Sequence, residues 1–292
     1  MKRIKIPTYF EYTNDDRNNI VGFFQSLFKC RSKDSLVVLD VSSTKSISEG
    51  AFLTLKAQVE KINKSRHDKQ RYTIYGAKTR EVINFLKKHF VATSKPNVKE
   101  FHVDLDVKKG MTADSETDPI LVDNIVKDLK TIGITEYYDP FYDFLVELIG
   151  NATEHGIKQK NINWWLMHYR DYESRAIRYI FVDMGRGIVN SHKENHVPFK
   201  YYFLGDSRIV KDSMDGKLPS STKQKNRGKG LPFIKYLVIK EWISDFLLVT
   251  NKVIVHYDGK NIVYSQCKNF IGTYFSWSIN NNNVQKWKNT RL

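Results

Sequence analysis

Hydrophobic positions along residues 1–110 switch between two periods. RIKIPTYFEY alternates as a half-buried strand does, and NNIVGFFQSLFK has helical spacing. SLVVLDV is a short apolar run of the buried-strand kind. SEGAFLTLKAQVEKINKS sets Phe52, Leu55, Val59 and Ile62 on one helical stripe, with Ser48 as its cap. RYTIYGA then predicts a strand, TREVINFLKKHF a helix and KEFHVDLDV a closing strand. Strand and helix in alternation predict a small α/β layer domain over residues 1–110. The polar stretch KKGMTADSETDP, with its Gly and Pro, puts the boundary near residues 108–119.

From residue 111 to 292 the order changes. Two helices come first, ILVDNIVKDLKTIG and the one ending in ELIGNATEHG, then strands NWWLMHY and AIRYIFVD. A long polar segment, roughly residues 188–227, precedes a helix in LPFIKYLVIKEW and hairpin-like strands that run to the end. Helices followed by strands predict an α/β sandwich with a mostly antiparallel sheet. There are no internal repeats, and only NNNN near the end is low in complexity.

Composition narrows the class. With 41% hydrophobic and 13% aromatic residues, the 292-residue chain is globular and long enough for two cores. Cys30 and Cys267 lie far apart at no metal-ligand spacing, which predicts a reducing compartment. The N-terminus lacks a signal-peptide core, and FIKYLVIKEWISDFLLVT is broken by Lys235, Lys240, Glu241 and Asp245. The expectation is a cytoplasmic protein without a membrane span. Its net charge of +15 is uneven, with 22 Lys and Arg against 12 Asp and Glu up to residue 110 and 25 against 20 beyond. A basic first domain could favour nucleic acid or an acidic partner, but lysines scattered without an aromatic-basic stripe fit a solvated surface better.

The candidate chemistry lies in the second domain. Glu147, Asn151 and His155 follow one another at four-residue steps, so they share a helix face. Alone, that stripe describes any solvated helix. Asp183 ends a strand and is followed by Gly185, Gly187 and Ile188 in DMGRGI, a carboxylate beside backbone that a flat ligand can approach. In NRGKGLPFIKYL, Gly228 and Gly230 lead into a helix whose Pro232 suits its first turn, an arrangement that receives phosphate. A Gly272-Thr273 pair begins a late strand.

In this order, the E-x-x-x-N helix, the D-x-G-x-G-I turn, the lid-like segment, G-x-G-L before a helix and the Gly-Thr strand resemble the Bergerat-fold GHKL ATP-binding family of gyrases, heat-shock chaperones, histidine kinases and mismatch-repair ATPases. The resemblance spans roughly residues 119–280, and ELIGNATEHG is most similar to the anti-sigma-factor serine kinases. It implies ATP and Mg²⁺ as ligands. Asn151 then matches the Mg²⁺ ligand, and Glu147 the general base, with Glu154 as a competitor at the wrong spacing. Asp183 matches the acceptor for the adenine amino group, assisted by Thr273. Gly185, Gly187 and Ile188 would line the adenine pocket, while Gly228, Gly230 and Leu231 would wrap the phosphates. His155 either touches phosphate or holds the helix end. Lys225, Arg227 and Lys229 either meet the γ-phosphate or form a solvated basic lid.

Residues 111–140 hold no histidine, so the phosphoacceptor hairpin of sensor kinases is not expected. Residues 1–107, through LVVLDVSSTKSISEGAFLTL, resemble the STAS domain of anti-sigma-factor antagonists. Its phosphoacceptor turn is altered: Ser48 is a candidate acceptor, or Glu49 supplies a permanent charge. The resemblances together imply an ATPase or serine/threonine kinase in a regulatory partner switch, with a protein partner. The alternative is a nucleotide-gated or nucleic-acid-associated switch with negligible turnover.

Overall fold

The computed structural model describes residues 2–12, 17–30, 36–64, 71–89, 91–92, 101–102, 108–111, 118–154, 162–194, 198–218 and 230–291. The protein is of mixed α/β class. Its chain divides into two compact units, Met1–Val107 with Cys267–Phe270, and Lys108–Gln266 with Ile271–Leu292.

The first unit follows the predicted alternation. It contains β1 (Lys2–Lys5), β2 (Tyr9–Phe10), α1 (Arg17–Lys29), β3 (Leu36–Asp40), β4 (Ser46–Ile47), α2 (Glu49–Lys64), β5 (Arg71–Tyr75), α3 (Arg80–His89), β6 (Val91–Ala92) and β7 (Phe101–His102). Strands β1, β3 and β5 form a parallel sheet in that order, with Ile4 opposite Leu39 and Leu39 opposite Ile74. Parallel neighbours require crossovers, which α1 and α2 supply. Helix α1 buries Ile20, Val21, Phe23, Phe24 and Leu27, the stripe its spacing predicts. Ser48 caps α2 by accepting from the Ala51 N–H at 3.3 Å.

Two strands differ from expectation. RIKIPTYFEY forms two short strands, because Pro7 between them has no N–H to continue a ladder, and β2 pairs with β4 instead. The closing strand is represented by β7, which pairs antiparallel with β6. Residues 99–100 and 103–107 of that prediction lie outside the described residues.

The second unit contains β8 (Lys108–Met111), α4 (Pro119–Lys127), α5 (Asp139–Glu154), β9 (Ile162–Asp171), β10 (Ala176–Asp183), α6 (Ile188–Glu194), α7 (Asp206–Met214), α8 (Gly230–Ile239), β11 (Ser244–Tyr257), β12 (Ile262–Ile279) and α9 (Asn281–Asn289). The sheet runs β11-β12-β10-β9-β8, and β12–β10, β10–β9 and β9–β8 are antiparallel. The start of the polar stretch read as a boundary thus forms an edge strand. A ladder needs backbone groups rather than apolar side chains, and lysine is a common edge residue.

One core joins helices and sheet. Ile177, Tyr179 and Phe181 occupy alternate positions of β10 and pack with Phe141, Phe144, Leu145 and Leu148 of α5. Tyr179 lies opposite Trp277 across β10–β12, their rings stacked at 5.4 Å, and Phe144 meets Trp277 edge-on at 4.7 Å. This packing fixes the sheet-facing side of α5. Asn151 flanks that side beside Leu148 where the pocket opens, and Glu147 lies one turn before it.

Over its described residues, 188–194 and 198–218, the segment read as long and polar is largely helical. Its helices α6 and α7 flank a 3₁₀ turn at Phe199–Tyr202, and Ile209, Val210 and Met214 of α7 enter the core. Three apolar residues among charges gave too weak a periodicity to predict α7. Nor is the end of the chain all strand. The asparagine run starts α9, with Asn280 and Asn283 forming a reciprocal capping box.

Phe144→Ala should lower unfolding free energy by about 3–5 kcal/mol, the usual cost of emptying a buried aromatic site. Urea denaturation of the two proteins checks this; equal midpoints would show that the Trp277 contact does not hold α5.

Candidate functional site

A pocket of about 920 Å³, partly open to solvent, opens between the sheet and the helices of the second unit. It is lined by Asn151 from α5, Asp183, Gly187 and Ile188 from the turn after β10, Gly230 and Leu231 from α8, and Thr273 from β12. Stretches up to 122 residues apart in sequence (Asn151 to Thr273) therefore meet in one place.

The strand ladder positions the floor. Asp183 is paired with Thr273 and Phe181 with Phe275, so alternation turns all four side chains toward the pocket. Phe181 and Phe275 supply a flat apolar base, and Asp183 and Thr273 its polar edge. Gly185 does not line the wall as expected. Its N–H instead donates to Asp183 Oδ1 at 2.9 Å, fixing the carboxylate in an Asx turn. A carboxylate's two oxygens offer about four acceptor sites.

The turn itself is clamped from β11 by two residues that sequence reasoning did not find. Thr250 Oγ1 accepts from the Ile188 N–H at 2.9 Å. Asn251 Oδ1 accepts from the Val189 N–H at 2.9 Å, and its Nδ2 donates to the Arg186 carbonyl at 2.9 Å. Both N–H groups belong to the first turn of α6, where no intrahelical partner exists. Gly187 has φ +78°, and a Cβ there would lie 2.5 Å from Asn251 Oδ1. Only glycine fits that passage. The sequence signal was thin: a Thr-Asn pair inside a strand, with Asn251 at φ +49°.

Opposite the turn, Glu147 and Asn151 do share a face. A Cβ on Gly230 would stand 2.8 Å from Glu147 Oε2 and 2.9 Å from Asn151 Nδ2. The first residue of α8 thus rests on the polar stripe of α5, and its lack of a side chain makes that approach possible. The N-terminus of α8, with its outward N–H groups and positive dipole end, opens at the same wall. Glu147 stands behind Gly230 rather than in the wall itself.

His155, Lys225, Arg227, Gly228, Lys229 and the Glu154 side chain lie outside the described residues. Among the described residues no group of three or more His, Cys, Asp or Glu side chains gathers to hold a metal. Among them, too, no helix is long and apolar enough to cross a membrane. Cys30 and Cys267 are not joined in a disulfide.

The remaining wall comes from the segment expected to be a lid. Ser191 and His192 of α6, Ser213 of α7 and Leu218 line the pocket. The α7 side is anchored by Asp212, which accepts from Tyr201 Oη at 2.9 Å and from Arg208 Nε at 2.8 Å. Burial raises the Asp212 pKa, but these bonds and the nearby Arg208 and Lys217 charges outweigh it and hold the carboxyl below its usual range.

The comparisons with known proteins add nothing to this geometry. No family model, no curated protein and no solved structure matches the chain.

Thr250→Val, which keeps shape but deletes the hydroxyl, should cost about 1–3 kcal/mol by stranding the Ile188 N–H. Chemical denaturation measures it. A variant as stable as the wild type would mean that Thr250 does not brace the turn.

Proposed function

We propose that the second unit is a Bergerat-type ATP-binding domain of the GHKL kind, acting on ATP with Mg²⁺. The observation that carries this reading is the convergence of Asn151, Asp183, Gly187, Ile188, Gly230, Leu231 and Thr273 on one pocket. In sequence they belong to four separate motifs, and the fold brings them to one wall.

The fit can be tested on the residues themselves. Asp183, held by Gly185 beside an apolar floor, suits a flat base that donates from its amino group. The glycine at the start of α8 brings no side chain to the pocket wall, and a helix N-terminus suits phosphate. Mg²⁺ prefers to keep waters and phosphate oxygens and take one or two protein oxygens. An amide from Asn151 meets that need without a cluster of carboxylates. The ion would neutralise phosphate charge as it moves to the acceptor. Glu147, one turn from Asn151, would take the proton from the attacking water or hydroxyl. Whether the acceptor is water or a protein serine or threonine, the same base serves.

For the first unit, we propose a STAS-like regulatory module that recruits or controls a protein partner. Its parallel β1-β3-β5 sheet, with helices between successive strands, agrees with that fold.

Glu147→Gln should retain ATP binding and lower turnover by roughly 10²–10⁴-fold, the usual contribution of a general base. The assay follows released phosphate and labelled protein separately, using γ-labelled ATP and Mg²⁺. Unchanged turnover would remove Glu147 from the chemistry. GTP should fail to compete with ATP, because guanine presents a carbonyl where adenine carries its amino group, and Asp183→Ala should bind ATP poorly while remaining folded. Equal competition by GTP would overturn the adenine assignment.

A further inference from the structure

Cations that lie apart in the sequence of residues 1–110 are gathered by the parallel sheet of the first unit. Register sets Lys5, Asp40 and Tyr75 in one row across β1, β3 and β5. Arg3, Val38 and Thr73 form the row two residues before, and Leu36 and Arg71 the next. Because side chains alternate along a strand, these residues share one face of the sheet. The other face carries Ile4, Val37 and Leu39, all buried. A parallel sheet normally has both faces covered. Here Arg3, Lys5, Arg71 and Tyr75 are all exposed. Asp40 is the only carboxylate in these three strands, and it is already paired with Arg3, at 2.9 Å from Nε and 2.8 Å from Nη2. The Arg3 guanidinium also lies over the Tyr75 ring, 4.5 Å from its centroid. Among the described residues, Lys5 and Arg71 have no carboxylate partner.

We infer that this face of the first unit binds single-stranded nucleic acid. The inference is independent of the ATP reading, which concerns the second unit. Unpaired bases stack on aromatic rings and on guanidinium planes, whatever the sequence, because every base has a π-face. Tyr75 and Arg3 supply the two as one exposed pair, and Asp40 holds the guanidinium in place. Lys5 stands two strands away from Tyr75, about 10 Å, and Arg71 four residues along β5, about 13 Å. From there the two cations flank a base stacked at Tyr75 and meet the phosphates on either side of it. A strand with one negative charge per nucleotide thus faces three cations and one carboxylate. An acidic protein would satisfy the cations but gives the tyrosine–arginine pair no flat group to stack on. A duplex keeps its bases stacked on one another and offers none.

The test is fluorescence anisotropy on the full chain, over a salt series, with labelled oligouridylate, oligothymidylate and a DNA duplex of equal length. Wild type should bind at least one single strand more tightly than the duplex, and the first two probes tell RNA from DNA. Tyr75→Ala should weaken that binding roughly fivefold or more, the lower end of what one base–aromatic stack contributes. Tyr75→Phe, which keeps the ring, should bind as wild type does. Lys5→Gln combined with Arg71→Gln should flatten the slope of log affinity against log salt by about 1.4, since each phosphate contact on a single strand contributes about 0.7. Lys260→Gln, which removes an exposed cation between β11 and β12, should leave affinity and slope unchanged. All four side chains are exposed, so the variants keep the fold, which circular dichroism checks. The inference is wrong if neither strand binds or if the duplex binds as tightly. It is equally wrong if Tyr75→Ala binds as wild type does, or if Lys260→Gln flattens the slope as much as the Lys5 and Arg71 changes. Binding of polyglutamate but of neither strand would overturn it in favour of an acidic protein.

Discussion

The site depends on how closely β12 passes the end of β10. Gly272, at φ +96°, lies against Asp183 and Met184. A Cβ there would run into the Asp183 carbonyl oxygen and stand 3.0 Å from Met184 Cα. This is backbone against backbone, which cannot yield as a side chain tip does. The close approach seats Thr273 beside Asp183 and Phe275 beside Phe181, so the polar edge and apolar floor of the pocket arise from one ladder register. It also brings the Gly272 carbonyl within 3.3 Å of Thr250 Oγ1, linking the strand crossing to the brace that holds the turn.

From that junction the rest of the pocket follows in steps. Thr250 and Asn251 satisfy the unpaired N–H groups at the start of α6 and thereby aim that helix along the pocket. Asp212 ties α7 to the 3₁₀ turn through Tyr201, so Ser213 is held where it can meet His192. On the far side, the aromatic contacts of Phe141 and Phe144 with Tyr179 and Trp277 settle which face of α5 carries Glu147 and Asn151. Core packing and site geometry are here a single set of constraints.

Much of this was readable in the sequence because it rests on strong local signals. The i, i+4 spacing of Glu147 and Asn151 dictates a common helix face. The nearly continuous apolar run in AIRYIFVD marks β10, and glycine beside a strand-ending aspartate marks a turn. The missed parts rest on weak or non-local signals. Thr250 and Asn251 act 62 residues away from the N–H groups they satisfy, and no local pattern announces such a contact. Helix α7 is mostly charged outside and shows only a short apolar stripe. The asparagine run looked like low complexity because capping chemistry is a property of single side chains rather than of composition. Gly185 reads in the sequence as a pocket-lining residue, whereas its N–H holds Asp183 in place.

The proposed ATP site makes a specific statement about atoms, and a crystal structure of the protein with Mg²⁺ and a non-hydrolysable ATP analogue addresses it most directly. The adenine amino group should lie within hydrogen-bonding distance of the Asp183 carboxylate, the base on Phe181 and Phe275, and the phosphates at Gly230 and the start of α8. Density for the analogue outside this pocket, or inside it with the base turned away from Asp183, would contradict the proposed site.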